Sequence, residues 1–110
     1  MIAPDTAATL RAMLTSVVER GHSKGARIPG YHTAGKTGTA QISKTNGRGY
    51  SEETNHTFIG FAPSSKPRFV VLVKFEAPTQ GRFAENTATP VFHEITKFLL
   101  SYLSIPPERL

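Results

Sequence analysis

Tyr31-His32-Thr33-Ala34-Gly35-Lys36-Thr37-Gly38-Thr39-Ala40-Gln41 is the stretch whose backbone decides the fold of this 110-residue chain. Together with Gly30 it satisfies G-x-x-x-x-G-K-[ST], a loop in which a strand delivers a glycine turn onto a helix N-terminus that holds phosphates. The same residues also read as extended. Thr37, Thr39 and Ile42 are β-formers, and Gly35 and Gly38 weaken a helix, so Tyr31 to Ile42 is expected to be a strand. The flanks favour the strand. His22 to Gly30 carries glycines, Pro29 and charges rather than a buried strand, and Gly38-Thr39-Ala40-Gln41-Ile42 is a poor helix start. A second metal-binding acid is not convincing either, because the apolar run before Glu76 is interrupted by Lys74.

Working outward, residues 4 to 20 form a predicted helix. Pro4 suits the first turn, Asp5 suits the positive end of the dipole, and Leu10, Met13, Leu14, Val17 and Val18 share one stripe, with Gly21 as the stop. Ser43 to Asn55 is polar and turn-rich, and Asn46-Gly47 is a hairpin signal that returns the chain antiparallel to the first strand. Thr57 to Phe61 is the second predicted strand, closed by Ala62 to Pro67, and Phe69 to Phe75 is the third. The third is almost continuously apolar, which implies cover on both faces or a central position in the sheet. After a loop from Pro78 to Ala88, Thr89 can cap and Pro90 can open a last helix. Its apolar face would be Val91, Phe92, Ile95, Phe98, Leu99, Tyr102 and Leu103, and Ile105-Pro106-Pro107 stops it. The expected fold class is α+β, an antiparallel sheet flanked by helices in the order α-β-β-β-α.

Composition narrows the chemistry. A chain of this length supports one modest core, burying roughly two-thirds of its unfolded surface. There is no cysteine, hence no disulfide, thiol nucleophile or Cys-ligated zinc. His22, His32, His56 and His93 lack metal-ligand spacing and read as scattered surface histidines; no metal or cofactor is expected. No apolar run approaches a membrane span, and Met1-Ile2-Ala3-Pro4-Asp5 lacks the order of a signal peptide. The net charge is +5, from 13 Lys+Arg against 8 Asp+Glu. It is local: between Arg20 and Ser51 the charged residues are Arg20, Lys24, Arg27, Lys36, Lys44 and Arg48, with no acid among them. Such a field favours anionic partners. Nucleic acid is not expected, because the only aromatics interleaved with these cations are Tyr31 and Tyr50.

On a strand, Lys36 and Gly38 share one face while Thr37 and Thr39 share the other, so twist or a bulge must help set which hydroxyls reach a cleft. A glycine at 38 removes the Cβ that would keep a substrate backbone away, and a backbone N–H just after it can serve an oxyanion. An ordinary glycine-containing strand with an exposed lysine fits these four residues equally well.

The wider sequence bears on that choice. The Tyr31–Gln41 block, then Phe58-Ile59-Gly60-Phe61-Ala62-Pro63, then Pro90-Val91-Phe92 and Ile105-Pro106-Pro107, resemble in order and spacing the C-terminal part of the transpeptidase domain of class B penicillin-binding proteins. Pro4-Asp5-Thr6-Ala7 with Leu10, Met13, Val17 and Val18 looks like the family's preceding helix, so the resemblance covers residues 1–110. It implies a fragment of a peptidoglycan D,D-transpeptidase. In that family a serine of an S-x-x-K motif attacks the D-Ala-D-Ala bond of the stem peptide, an amine resolves the acyl-enzyme, and β-lactams stay attached. By resemblance, Lys36 supplies positive charge near the substrate carboxylate and the relay serine. Thr37, Gly38 and Thr39 complete the substrate site, with the two hydroxyls on the carboxylate, and the Thr39 N–H joins the oxyanion hole. The implied role is cell-wall synthesis in division or cell shape. The implied location is the extracytoplasmic face of the bacterial cytoplasmic membrane, through an N-terminal anchor absent from this chain.

Two family motifs are missing from the chain. Ser16, Ser23, Ser43, Ser51, Ser64, Ser65, Ser101 and Ser104 all lack a lysine three residues on, and no S-x-N occurs. Without its nucleophile such an enzyme loses about 10⁶ in turnover, so the chain alone is expected to be inactive and to need the N-terminal part of the same domain. Phe83-Ala84-Glu85-Asn86-Thr87-Ala88-Thr89-Pro90 departs from the glycine pair common at this point in the family. A serine β-lactamase fragment shares K-T-G but less readily the Phe58–Pro63 block. From other classes, a nucleotide-binding loop protein or a basic binding module are the alternatives.

Overall fold

The computed structural model describes residues 1–44, 47, 49–77 and 84–108. Helix α1 spans Pro4–Arg20, with proline in its first turn, Asp5 beside the positive end and Arg20 in the last turn, each where the helix dipole favours it. A 3-10 turn at Lys24–Ala26 leads into strand β1, Ala34–Ser43. Strands β2, Tyr50–Ala62, and β3, Phe69–Glu76, follow, and helix α2 runs over Ala84–Tyr102. The sheet is antiparallel in the order β1-β2-β3, as the α-β-β-β-α reading requires.

The register divides the side chains between two faces. Thr37 lies opposite Phe58 and Thr39 opposite His56, while Phe58 lies opposite Val73. These residues share the face that α2 covers: the Phe58 and Phe92 rings lie 4.4 Å apart, centroid to centroid, in a core with Val18, Ala26, Val73, Ala84 and Ala88. Gly35 and Gly60 are partners in the register, and each is a point of close approach. A Cβ on Gly35 would stand 2.5 Å from the Phe58 ring, and one on Gly60 2.7 Å from the Phe92 ring and 2.5 Å from the Ala34 carbonyl. The aromatic pair fits because these two positions carry nothing.

A second cluster of Ile28, Ala62, Leu100 and Ile105 closes the far end. Helix α2 ends with Ser104 in the left-handed region (φ 54°) and with N–H groups of Ser104 and Ile105 donating to the carbonyls of Ser101 and Leu100. This is a Schellman cap with serine where glycine is usual, and it turns Ile105 back onto Leu100. The tail is pinned beyond it. The Tyr31 hydroxyl donates to the Ile105 carbonyl, and the Glu108 carboxylate accepts from the His32 N–H and from the N–H and hydroxyl of Ser65.

Several expectations change. The last helix begins at Ala84 rather than Pro90, and Pro90 lies inside it. Thr89 is therefore not a cap; it is buried, and its hydroxyl donates to the Ala84 carbonyl, within the turn that leads into the proline. The buried row of α2 is Ala84, Ala88, Phe92, Thr96 and Leu100, spaced four apart, whereas Ile95, Phe98, Tyr102 and Leu103 are exposed. Phe98 and Tyr102 stack on each other at the surface, 5.6 Å apart, instead of joining the core.

Nor is β3 central. It is an edge strand whose Val71, Val73 and Phe75 pack toward α2, while Val70 and Leu72 on its other face are exposed. Strand β2, read from Thr57, starts at Tyr50, because the return begins close to the turn. Lys44 and Gly49 are joined by a backbone bond there, with Gly47 and Gly49 at positive φ; Asn46 of the expected turn lies outside the described residues.

Candidate active-site strand

Lys36, Thr37, Gly38 and Thr39 lie consecutively on β1, which has a strand neighbour on one side only among the described residues. Alternation sends Lys36 and Gly38 to the face of Ile59 and Thr57, and Thr37 and Thr39 to the face of α2. The lysine rejoins the threonines by folding over the strand: its exposed Nζ donates to the Thr37 carbonyl at 3.1 Å and to the Thr37 hydroxyl at 3.4 Å. An exposed cation and a hydroxyl from opposite faces of one strand are thus brought together. No bulge is needed at the motif; the register shift comes later, between Gln41 and Ser43.

Gly38 has a second reason to lack a side chain. Its Cβ would stand 2.6 Å from the Thr57 hydroxyl, which donates to the Gly38 carbonyl at 3.4 Å. Thr39 is held from the other side, where its hydroxyl oxygen accepts the backbone N–H of Ala84, the first residue of α2, at 3.3 Å. With the oxygen taken as acceptor, the hydroxyl proton remains free to donate. The positive end of the α2 dipole stands behind it.

After Thr37 the chain stays extended to Ser43, so the lysine sits in mid-strand and no helix receives it. This excludes the phosphate-cradle geometry, which requires a helix N-terminus at that point. No group of three or more His, Cys, Asp or Glu residues suited to a metal exists among the described residues. An edge strand offering a lysine, two hydroxyls and backbone N–H groups can bind an anionic carboxylate and stabilise an oxyanion.

The family model for the penicillin-binding protein transpeptidase domain matches residues 1–97. The chain belongs to this family. It is 44% identical over 112 residues to the probable peptidoglycan D,D-transpeptidase PbpC of Pseudomonas aeruginosa, covering 97% of this chain and 19% of that protein. It is 40% identical to penicillin-binding protein PbpB of Mycolicibacterium smegmatis, covering 96% of this chain and 18% of the relative. The transpeptidase domain of Burkholderia pseudomallei penicillin-binding protein 3 superposes with a TM-score of 0.86 at 41% identity, over 99% of this chain and 33% of that one. Penicillin-binding protein 3 of Mycobacterium tuberculosis, solved with ampicillin, gives 0.85 at 32% identity, over 96% of this chain and 26% of its own. The chain therefore spans about a fifth of the curated relatives and about a third or less of these solved chains.

His56 differs from its expected place. Expected at the surface, it is fully buried, with one ring nitrogen 2.9 Å from the Thr54 hydroxyl and the other 2.7 Å from the Thr87 hydroxyl. A signal was present: His56 precedes Phe58 and Gly60 at a spacing of two, which places it on the inward face. Of the other histidines, His22 is exposed, and His32 and His93 are partly buried, with His32 facing Glu19 at 3.6 Å. No described helix is long and apolar enough to cross a membrane.

Proposed function

We propose that residues 1–110 are the C-terminal part of a penicillin-binding transpeptidase domain and form one wall of its acyl-transfer cleft. The observation that carries this reading is the meeting of the Lys36 ammonium with the Thr37 hydroxyl at the free edge of β1, with Thr39 two residues on along the same face. In the complete site a serine outside this chain attacks the carbonyl of the D-Ala-D-Ala peptide bond and expels D-alanine. An amine from a neighbouring stem peptide then displaces the serine oxygen. Lys36 offsets the substrate carboxylate and the relay serine, the Thr37 and Thr39 hydroxyls donate to that carboxylate, and the Thr39 N–H helps hold the oxyanion. A β-lactam enters by the same carboxylate and stops at the acyl-enzyme. The chemistry belongs outside the cytoplasmic membrane, where peptidoglycan is cross-linked.

The test is where a penicillin attaches. In the protein that carries this chain together with its nucleophile, the adduct should map to a serine of an S-x-x-K motif outside residues 1–110, and residues 1–110 expressed alone should remain unlabelled. An adduct on any of this chain's own serines contradicts the reading.

A further inference from the structure

Around Thr39, one cross-strand pairing and two hydrogen bonds link β1, β2 and α2 in a circuit that the roles above do not use. Thr39 and His56 are direct cross-strand partners on the α2 face, a position that sets their Cβ atoms roughly 5 Å apart. The His56 Nδ1 meets Thr87 in the first turn of α2, and Ala84, three residues earlier in that turn, gives its N–H to Thr39. The path runs from β1 to β2, from β2 to α2, and from α2 back to β1. Both imidazole nitrogens are satisfied by hydroxyls that can donate or accept, so the fully buried ring has no unmet polar atom.

A leucine would fill this space without a bond. The histidine instead fixes how far along β2 the first turn of α2 sits, and that turn supplies the N–H that commits the Thr39 oxygen as acceptor. We propose that His56 is a positioning residue of the carboxylate clamp, tethering the α2 first turn through Thr87 so that the Thr39 hydroxyl is presented as a donor to an anionic substrate. This rests on the reading of Lys36–Thr39 as the carboxylate-binding strand.

The tether is tested by Thr87→Val, which keeps shape and removes the hydroxyl, and by His56→Leu and His56→Asn, in the protein carrying its nucleophile. Acylation rates are measured with a fluorescent penicillin and with its methyl ester, which lacks the carboxylate charge. Thr87→Val and His56→Leu should each lower the acid-to-ester rate ratio by about three- to tenfold, the weight of one hydrogen bond, and His56→Asn, which can still reach Thr87, should restore most of it. A purely structural histidine would lower both rates together and leave the ratio unchanged, which overturns the proposal. Hydrogen exchange at the Ala84 amide separates this outcome from failure of the underlying reading. It should accelerate in Thr87→Val, and in a protein that no penicillin labels, unchanged exchange at Ala84 overturns the tether by itself.

Discussion

The Thr39 hydroxyl accepts the Ala84 N–H at 3.3 Å, so the strand that carries the candidate site also satisfies the start of the helix covering its sheet. First-turn N–H groups have no partner within their own helix, and a side-chain oxygen that meets one stabilises by about 1 kcal/mol. Thr39→Val should therefore lower stability by about that amount and slow acylation, while Thr39→Ser retains both. Thermal denaturation and penicillin labelling measured on the same preparations check the pairing of the two effects.

The aromatic contact at the centre makes the opposite demand, for empty space. Gly35→Ala would set a methyl 2.5 Å from the Phe58 ring and 2.8 Å from the Ile59 carbonyl, so the ring must leave its place. Overpacking of this kind costs about 1–3 kcal/mol or more, and denaturant midpoints should fall accordingly. Unchanged midpoints would show that Phe58 has room to spare.

Helix α2 separates two aromatic residues by role. Phe92 is fully buried and Phe98 is 63% exposed. Phe92→Ala should cost about 3–5 kcal/mol, and Phe98→Ala within about 0.5 kcal/mol. Comparable losses at both positions would place the inner row of α2 elsewhere.

Strand β3 leaves an apolar row uncovered: Val70 is 67% and Leu72 63% exposed, beside Ile59 on β2. An apolar row beside an unpaired strand edge invites pairing with other chains unless charge blocks it. Residues 1–110 in isolation should associate on size exclusion, and Val70→Lys with Leu72→Lys should shift the profile toward monomer. A clean monomer before substitution would mean that the row is tolerated in water.

Much of this was legible from the sequence. Helix α1 was bounded at Pro4 and Arg20 by proline, charge and glycine, all local signals, and the alternation of Lys36, Thr37, Gly38 and Thr39 followed from period two. The inward row of α2 was hidden because its members include Ala84, Ala88 and Thr96, which are small or polar and give a weak apolar pattern, while the bulky Phe98 and Tyr102 that suggested a core point outward. Pro90 read as a helix start because its local preference is for the first turn, yet tertiary packing of Ala84 and Ala88 extends the helix ahead of it. The place of β3 followed the same logic, since an apolar run reports the cover a strand needs and not whether this chain supplies it. The spacing of His56 to Phe58 and Gly60 marked it as inward, but its bond to Thr87 could not be read, because that partner is distant in sequence.

The central claim is that the Lys36 ammonium belongs to an acyl-transfer cleft, and the acylation rate of Lys36→Ala in the protein bearing its nucleophile tests it most directly. Loss of a positioned electrostatic group predicts a fall of at least about a hundredfold with the fold intact. An acylation rate equal to that of the unsubstituted protein would contradict the account.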